Sequence, residues 1–417
     1  MPSFSIKHLF RGEIVIWVVF MLLSLISLLE VFSAGSTLAY KSGGYMNTLY
    51  KQATYIAVAA AFAWGVHHLS LRFLRIIPSL GYLFSFILLV ITAISGSDIN
   101  GAARWASVGG INFQPSEVAK IALVALTAFI LSKKRTESNA SKKAIMWIAI
   151  FSLPILGMIA LENLSTAALL AFVILLMMLI GRVPLLQLGK WLGTGLIILV
   201  IAAGTYTIMS EGDPKAEVGR SKTWENRIKD YLKPRPADPR DYDTDKDGQK
   251  AHAYIAIASS NMKGLGVGNS VERDFLSQAY SDFIYAIILE ELGLLGGIGV
   301  AFLYTVILLQ AGRIAGKCPT NYPAYLVMGL ALMLTIQALV NMLVAVGIIP
   351  VTGQPLPLIS RGGTSLLCTG IIFGIILSVS RYARKNPEDS EEEAEVEASL
   401  ADKHVNEAEF LEDEGIS

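Results

Sequence analysis

Residues 283–311 read FIYAIILEELGLLGGIGVAFLYTVILLQA, with Glu290 and Glu291 as the only charges. The run is longer than the ~20 apolar residues that carry a helix across a bilayer. Blocks of the same kind recur on both sides of it. Cut at polar breaks, they lie near 14–32, 54–69, 76–94, 118–132, 144–160, 164–181, 187–208, 283–311, 322–347 and 364–380. Of the 417 residues, 53% are hydrophobic and 16% charged, against roughly 25% charged in an ordinary soluble domain. The expected fold is therefore an all-α polytopic membrane protein of ten transmembrane helices, with a long external loop between helices 7 and 8. Cys318 lies in a basic polar stretch and Cys368 in an apolar one. Two such cysteines make no disulfide framework, and no CxxC or His/Cys cluster offers a zinc site.

Orientation follows from the basic residues of the short loops. Sixteen Lys and Arg fall on one side, and only Lys41, Lys51, Arg104 and Arg361 on the other. Both termini are expected in the cytoplasm, with the first span an uncleaved signal anchor. The chain then divides into a cytoplasmic N-terminus (1–13), a membrane domain (14–385) that includes the external loop 209–282, and a tail (386–417). The tail holds 13 of the 34 acids and one of the 34 bases. Its composition is that of a disordered tether. Segments 33–53, 95–117, 209–282 and 348–363 are external, and function is sought there.

The strongest local signal is Ser281-Asp282-Phe283-Ile284-Tyr285, at the outer end of the eighth span. Asp282 is either a helix cap, a place Ser and Asp favour, or a carboxylate poised at the membrane surface. Glu290 lies ~12 Å further along that helix. Ionisable groups at such depth line a cavity or find a partner. A second group is Asn100 to Trp105 with Gln114 to Lys120. Glu117 and Lys120, three residues apart, share a helix face as a structural ion pair, or Lys120 faces an anionic ligand. Arg104 beside Trp105 is an interfacial anchor or a phosphate contact. The stretch 350–365, PVTGQPLPLISRGGTS, combines three prolines with three glycines, so its backbone is constrained and suited to a re-entrant segment. Asp243 to Gly248 matches half a calcium loop, but Tyr254 stands where the bidentate acid belongs. Gly264, Gly266 and Gly268 lack the preceding strand of a nucleotide loop. Neither is read as a ligand site.

These blocks, in this order, resemble the SEDS (FtsW/RodA) family of cell-wall polymerases over residues 14–385. The specific parts are Asn100–Trp105 with Gln114–Lys120, Arg227–Gln249, Ile255–Ser259 with Gly264–Gly266, Asp282–Phe283 with Glu290–Gly293, and Gly347–Ser365. Three departures stand out. Tyr280-Ser281 replaces the usual His-Thr, Glu162 to Thr166 replaces Pro-Asp-x-Gly-Thr, and Arg361 replaces a common aromatic. The Asn163–Thr166 variant and the acidic tail are most similar to division-type members from Bacteroidetes-like bacteria.

The resemblance implies an inverting lipid II glycosyltransferase (peptidoglycan polymerase) serving septal cell-wall synthesis in the bacterial inner membrane. It implies Asp282 as the catalytic base, Arg104, Arg361, Glu290 and Lys120 as substrate-binding residues, and a divalent cation (Mg or Mn) as an option at the pyrophosphate. No ligand set for such a metal follows from spacing. The implied partners are lipid II, an undecaprenyl-linked glycan, a class B penicillin-binding protein and other division proteins, with no nucleic acid. Gly293, Gly296, Gly297 and Gly299 would let a partner helix approach, or they only pack the internal bundle. The external Ser260 to Lys263 matches Ser-x-x-Lys but has no separate Ser-x-Asn, so crosslinking is expected from the partner. The alternatives are a lipid II flippase, using Glu290, Glu291 and Lys120 as a polar path, an elongation-type polymerase, or a division scaffold.

Overall fold

A computed structural model describes residues 12–34, 45–95, 97–98, 103–108, 111–133, 142–184, 186–191, 193, 195, 244–276 and 280–384. In chain order the elements are α1 (Ile14–Ala34), α2 (Tyr45–His67), α3 (Leu71–Leu74), a π-turn (Ile77–Gly81), α4 (Tyr82–Ser95), β1 (Ser97–Asp98), β2 (Ala103–Val108), β3 (Ile111–Phe113), α5 (Pro115–Lys133), α6 (Lys142–Ile180), α7 (Thr244–Ser259), a 3-10 turn (Glu272–Asp274), α8 (Ile284–Lys317), α9 (Asn321–Ala345) and α10 (Gly363–Tyr382). Among the described residues, seven stretches are long and apolar enough to cross a membrane, those of α1, α3–α4, α5, α6, α8, α9 and α10. The expected seventh span falls mostly outside the described residues, as do 209–243 and the tail 386–417.

Several expected boundaries move. The second span begins at Tyr45, because Lys51, Gln52 and Thr54 made a helical turn look like a loop. The fifth and sixth spans form one element, α6, broken at Asn163 (φ −154°, ψ 95°). Asn163 Oδ1 accepts the N–H groups of Ser165 and Thr166 at 3.2 and 3.4 Å, the capping arrangement that starts a new helical segment. The all-α expectation also misses a three-stranded antiparallel ribbon, order β1-β2-β3. Val108 pairs with Ile111 across Gly109-Gly110, a pair suited to a tight hairpin. Thr244 to Gly248 open α7, while Asp243 lies outside the described residues.

Close helix packing is set by small residues. On α10, a Cβ at Gly370 would stand 2.8 Å from the Ala59 carbonyl carbon, and one at Gly374 would stand 2.7 Å from Val66 Cβ. Glycines four apart thus let α2 lie against α10 at backbone distance. α5, α10 and α9 are the interior helices, 83%, 78% and 72% buried over their most apolar stretches, while α8 is 28% buried over its own and faces outward there.

The eighth span is not continuous. At 1.5 Å per residue, α8 would be ~51 Å long, well beyond the ~30 Å hydrocarbon core. It breaks at Gly293 (φ 70°, ψ −173°), backbone that is essentially glycine's alone. Leu294–Lys317 alone is ~36 Å long. The break frees backbone groups, and loop 260–276 takes them up. Leu265 and Gly266 donate to the carbonyls of Glu290 and Glu291 (both 2.9 Å), while Leu294 and Leu295 donate to Asn261 and Met262 (3.2 and 3.3 Å). Gly264 (φ 71°) and Gly293 meet at this crossing, where a Cβ on Gly293 would overlap Gly264 N and stand 2.5 Å from Met262 O.

Candidate active site around Asp282

Asp282 lies in the turn ahead of α8 and is half-buried. The cap position of α8 is Phe283, with no capping side chain, so Asp282 stands one residue before the cap. Ser281 Oγ donates to its Oδ1 at 3.0 Å. The backbone around it is fixed from two directions. From α9, Asn341 Nδ2 donates both to Asp282 O (2.9 Å) and to Gln354 O (2.8 Å). From the last loop, Ser360 Oγ donates to Ser281 O (2.6 Å), and Arg361 N–H donates to Tyr280 O (2.9 Å).

That loop, 350–362, is held along its length. Gln337 Nε2 donates to Pro355 O (3.0 Å), Gln354 Nε2 to Thr166 Oγ1 (2.6 Å), Ser27 Oγ to Ile359 O (2.8 Å) and Tyr304 OH to Pro357 O. Leu356 N–H donates to Ser360 Oγ at 2.7 Å. Leu358 is buried with φ 67°, an uncommon conformation for a non-glycine residue that only strong surroundings sustain. Gly353 (φ 69°) lies against the carboxylate, and a Cβ there would stand in van der Waals contact with Asp282 Oδ2 at 3.6 Å.

The expected site residues separate into groups. Arg361 meets the stretch that carries Asp282 at Tyr280, its guanidinium 5.3 Å from the Tyr280 ring centroid. Two of the three departures from the family pattern thus meet in space, with the aromatic on one side of the contact and the cation on the other. Lys120 is 1% exposed; it pairs with Glu117 at 2.8 Å and donates to Gln337 Oε1 at 3.0 Å. It reaches Asp282 only through Gln337, Pro355 and the loop. Arg104 lies in β2, and its side chain is outside the described residues.

Glu290 is elsewhere, committed to loop 260–276. It accepts from Ser270 Oγ (2.5 Å) and from the N–H groups of Val271 (3.0 Å) and Glu272 (3.4 Å). Glu291 accepts from Ser33 Oγ, Gly268 N–H (3.1 Å) and Ser270 N–H (3.4 Å), with Arg273 Nη1 at 3.9 Å. These carboxylates close the loop onto the broken helix. The sequence reading missed Asn341, Gln337, Gln354 and Thr166. Gln337 and Asn341, one turn apart in an otherwise apolar span, were the visible signal. Among the described residues no three His, Cys, Asp or Glu side chains cluster as a metal centre needs. The described residues therefore supply no donor set for the divalent cation.

The profile of the cell cycle protein family FtsW/RodA/SpoVE matches residues 13–385. A probable peptidoglycan glycosyltransferase FtsW of Alkalilimnicola ehrlichii is 33% identical over 367 residues, 86% of each chain. A second, from Geobacter sulfurreducens, is 30% identical over 392 residues, 92% of this chain and 99% of that one. Among solved structures, Thermus thermophilus rod shape determining protein RodA superposes with a TM-score of 0.62 at 22% identity, over 90% of this chain and 98% of that one. A chain from a peptidoglycan synthase complex that coordinates polymerization and crosslinking gives 0.67 at 24% identity, over 90% and 99%. These last two likenesses establish the fold.

Proposed function

The chain belongs to the FtsW/RodA/SpoVE family of cell cycle proteins, and from that premise we propose that it is a division-type peptidoglycan glycosyltransferase that polymerises lipid II at the outer membrane face. The 4-hydroxyl of an incoming lipid-linked disaccharide attacks the anomeric carbon of the growing glycan. The new C–O bond forms as the bond to the pyrophosphate oxygen breaks, with inversion, and undecaprenyl pyrophosphate leaves. Asp282 takes the hydroxyl proton.

One observation carries this reading: a half-buried carboxylate whose backbone is bonded from two elements and whose Oδ2 lies against the glycine edge of the last loop, 3.6 Å from where a Gly353 Cβ would stand. A general base needs such fixed placement within reach of the acceptor. Arg361 supplies a cation beside it for the pyrophosphate, and Arg104 is proposed to add a second. The flippase alternative draws no support from Glu290 and Glu291, because both are engaged by loop 260–276.

The proposal extends to ten spans with both termini cytoplasmic, 209–282 outside, 386–417 a cytoplasmic tether, and a place at the septum. It includes a class B penicillin-binding protein as partner. Its single span would lie along α8 where Leu295, Ile298 and Phe302 are exposed and Gly299 has nothing within 4 Å of a missing Cβ. Gly293, Gly296 and Gly297 are filled from within the chain. The test is chain formation from labelled lipid II by the purified protein with and without that partner. The expectation is activity that Asp282→Ala lowers by ~10²- to 10⁴-fold without loss of insertion. Near wild-type chains from Asp282→Ala would remove the base assignment.

A further inference from the structure

At the membrane face opposite Asp282, a cavity of about 120 Å³ opens between the ends of α8 and α10. Arg313 and Lys317 line it from α8, one helical turn apart, Gln310 stands a turn before Arg313, and Ser380 lines it from α10. Arg384 and Glu13 complete the rim as an ion pair at 2.5 Å, with Arg384 Nη1 also donating to Gly12 O at 3.0 Å. That pair is internally neutral. Arg313 and Lys317 pair with no acid among the described residues and are exposed. Among the described residues the hollow therefore carries two positive charges that no acid compensates.

Cations near a helix C-terminus complement its dipole, which accounts for Lys317 in the last turn of α8. It accounts neither for the hollow nor for Ser380. Ser380 is 1% exposed, and its Oγ has no hydrogen-bond partner among the described residues. A buried hydroxyl without a partner is destabilising unless something accepts or donates there. Beside it, Ile314 and Ala383 make part of the wall apolar. Two free cations, a spare hydroxyl and an apolar flank at the depth of the headgroups match a phosphodiester whose remainder continues into lipid.

We propose that this cavity binds the headgroup phosphate of an anionic phospholipid, with Arg313 and Lys317 neutralising the phosphate and Ser380 Oγ donating to one of its oxygens. The site is distinct from the proposed glycan chemistry, and its binding can be read whether or not that chemistry is correct. The test is native mass spectrometry of the full-length protein in mild detergent, with phosphatidylglycerol or phosphatidylcholine added at equal concentration. Phosphatidylglycerol should be retained over phosphatidylcholine. Arg313→Gln with Lys317→Gln should lower that retention roughly tenfold at unchanged thermal stability, and Ser380→Ala should also lower it. Equal retention of the two lipids, or by wild type and the double variant, overturns the proposal. Displacement by equimolar inorganic phosphate assigns the site to a soluble phosphate compound instead. Stronger lipid retention after Glu391→Gln, Glu392→Gln and Glu393→Gln in the full chain makes the acidic tail the occupant and overturns it as well.

Discussion

Tyr280 and Arg361 differ from the family pattern separately along the sequence and together in space. A guanidinium over an aromatic ring contributes ~0.5–1 kcal/mol at exposed sites. A double-mutant cycle on Tyr280→Ala and Arg361→Ala should return a coupling of about that size in detergent-phase unfolding, and additive losses would show the contact to be incidental. Lys120 presents a larger effect. Removing either partner of a buried pair leaves a charge uncompensated, typically at ~3–5 kcal/mol. Glu117→Ala or Lys120→Ala should therefore lower folded yield more than turnover per folded molecule, with the exchanged pair recovering part of the yield. Normal yield with lost turnover would place Lys120 in the substrate site. At this scale the sequence was informative where chemistry is unusual for the setting. Asp282 at a span boundary and Lys120 inside one stand out by themselves. Asn341 does not, because its role depends on Gln354 arriving across a turn thirteen residues later, and no local pattern encodes that meeting.

Among the elements, α8 was legible as apolar but not as broken. Its length alone, far beyond a bilayer's thickness, carried the hint, and Gly293 is where the excess is turned aside. Gly293→Ala and Gly264→Ala should each abolish folded yield, since positive φ and backbone overlap act together there. Gly299→Ala, with open space around it, should stay within about ±0.5 kcal/mol of wild type. Equal tolerance of all three, followed by fluorescence-detected size exclusion, would mean that the crossing is not needed. The ribbon at 97–113 was also readable. Arg104 to Val108 and Ile111 to Phe113 flank Gly109-Gly110, a hairpin signal. Glu290 and Glu291 were recognised as buried acids, but the sequence gives no view of the loop that surrounds them.

For the molecule as a whole, orientation rests on the basic asymmetry. Cysteines introduced at Ser210 and Ser390 should label from outside and inside respectively, and the reverse pattern would invert every external assignment. The native thiols leave that assay clean. Cys368 is buried in α10, and burial pushes the Cys318 thiol up to about 12. Above its ordinary value a thiol stays protonated at neutral pH and reacts slowly, so Cys318 background should rise only as the labelling buffer becomes strongly alkaline.

The crossing at Gly264 and Gly293 also fixes an order of events in biogenesis. Residues 260–276 leave the ribosome before the helix they close on exists, and the groups that satisfy them belong to positions 290–295. At ~5–20 residues per second, the loop waits on the order of seconds with its amides in water. It also waits until α8 has entered the bilayer beside α1, because Ser33 bonds to Glu291 and Arg273 bonds to Ser33 at 3.0 Å. The face that carries Asp282 is thus among the last parts of the protein to mature, although much of it is made midway through synthesis.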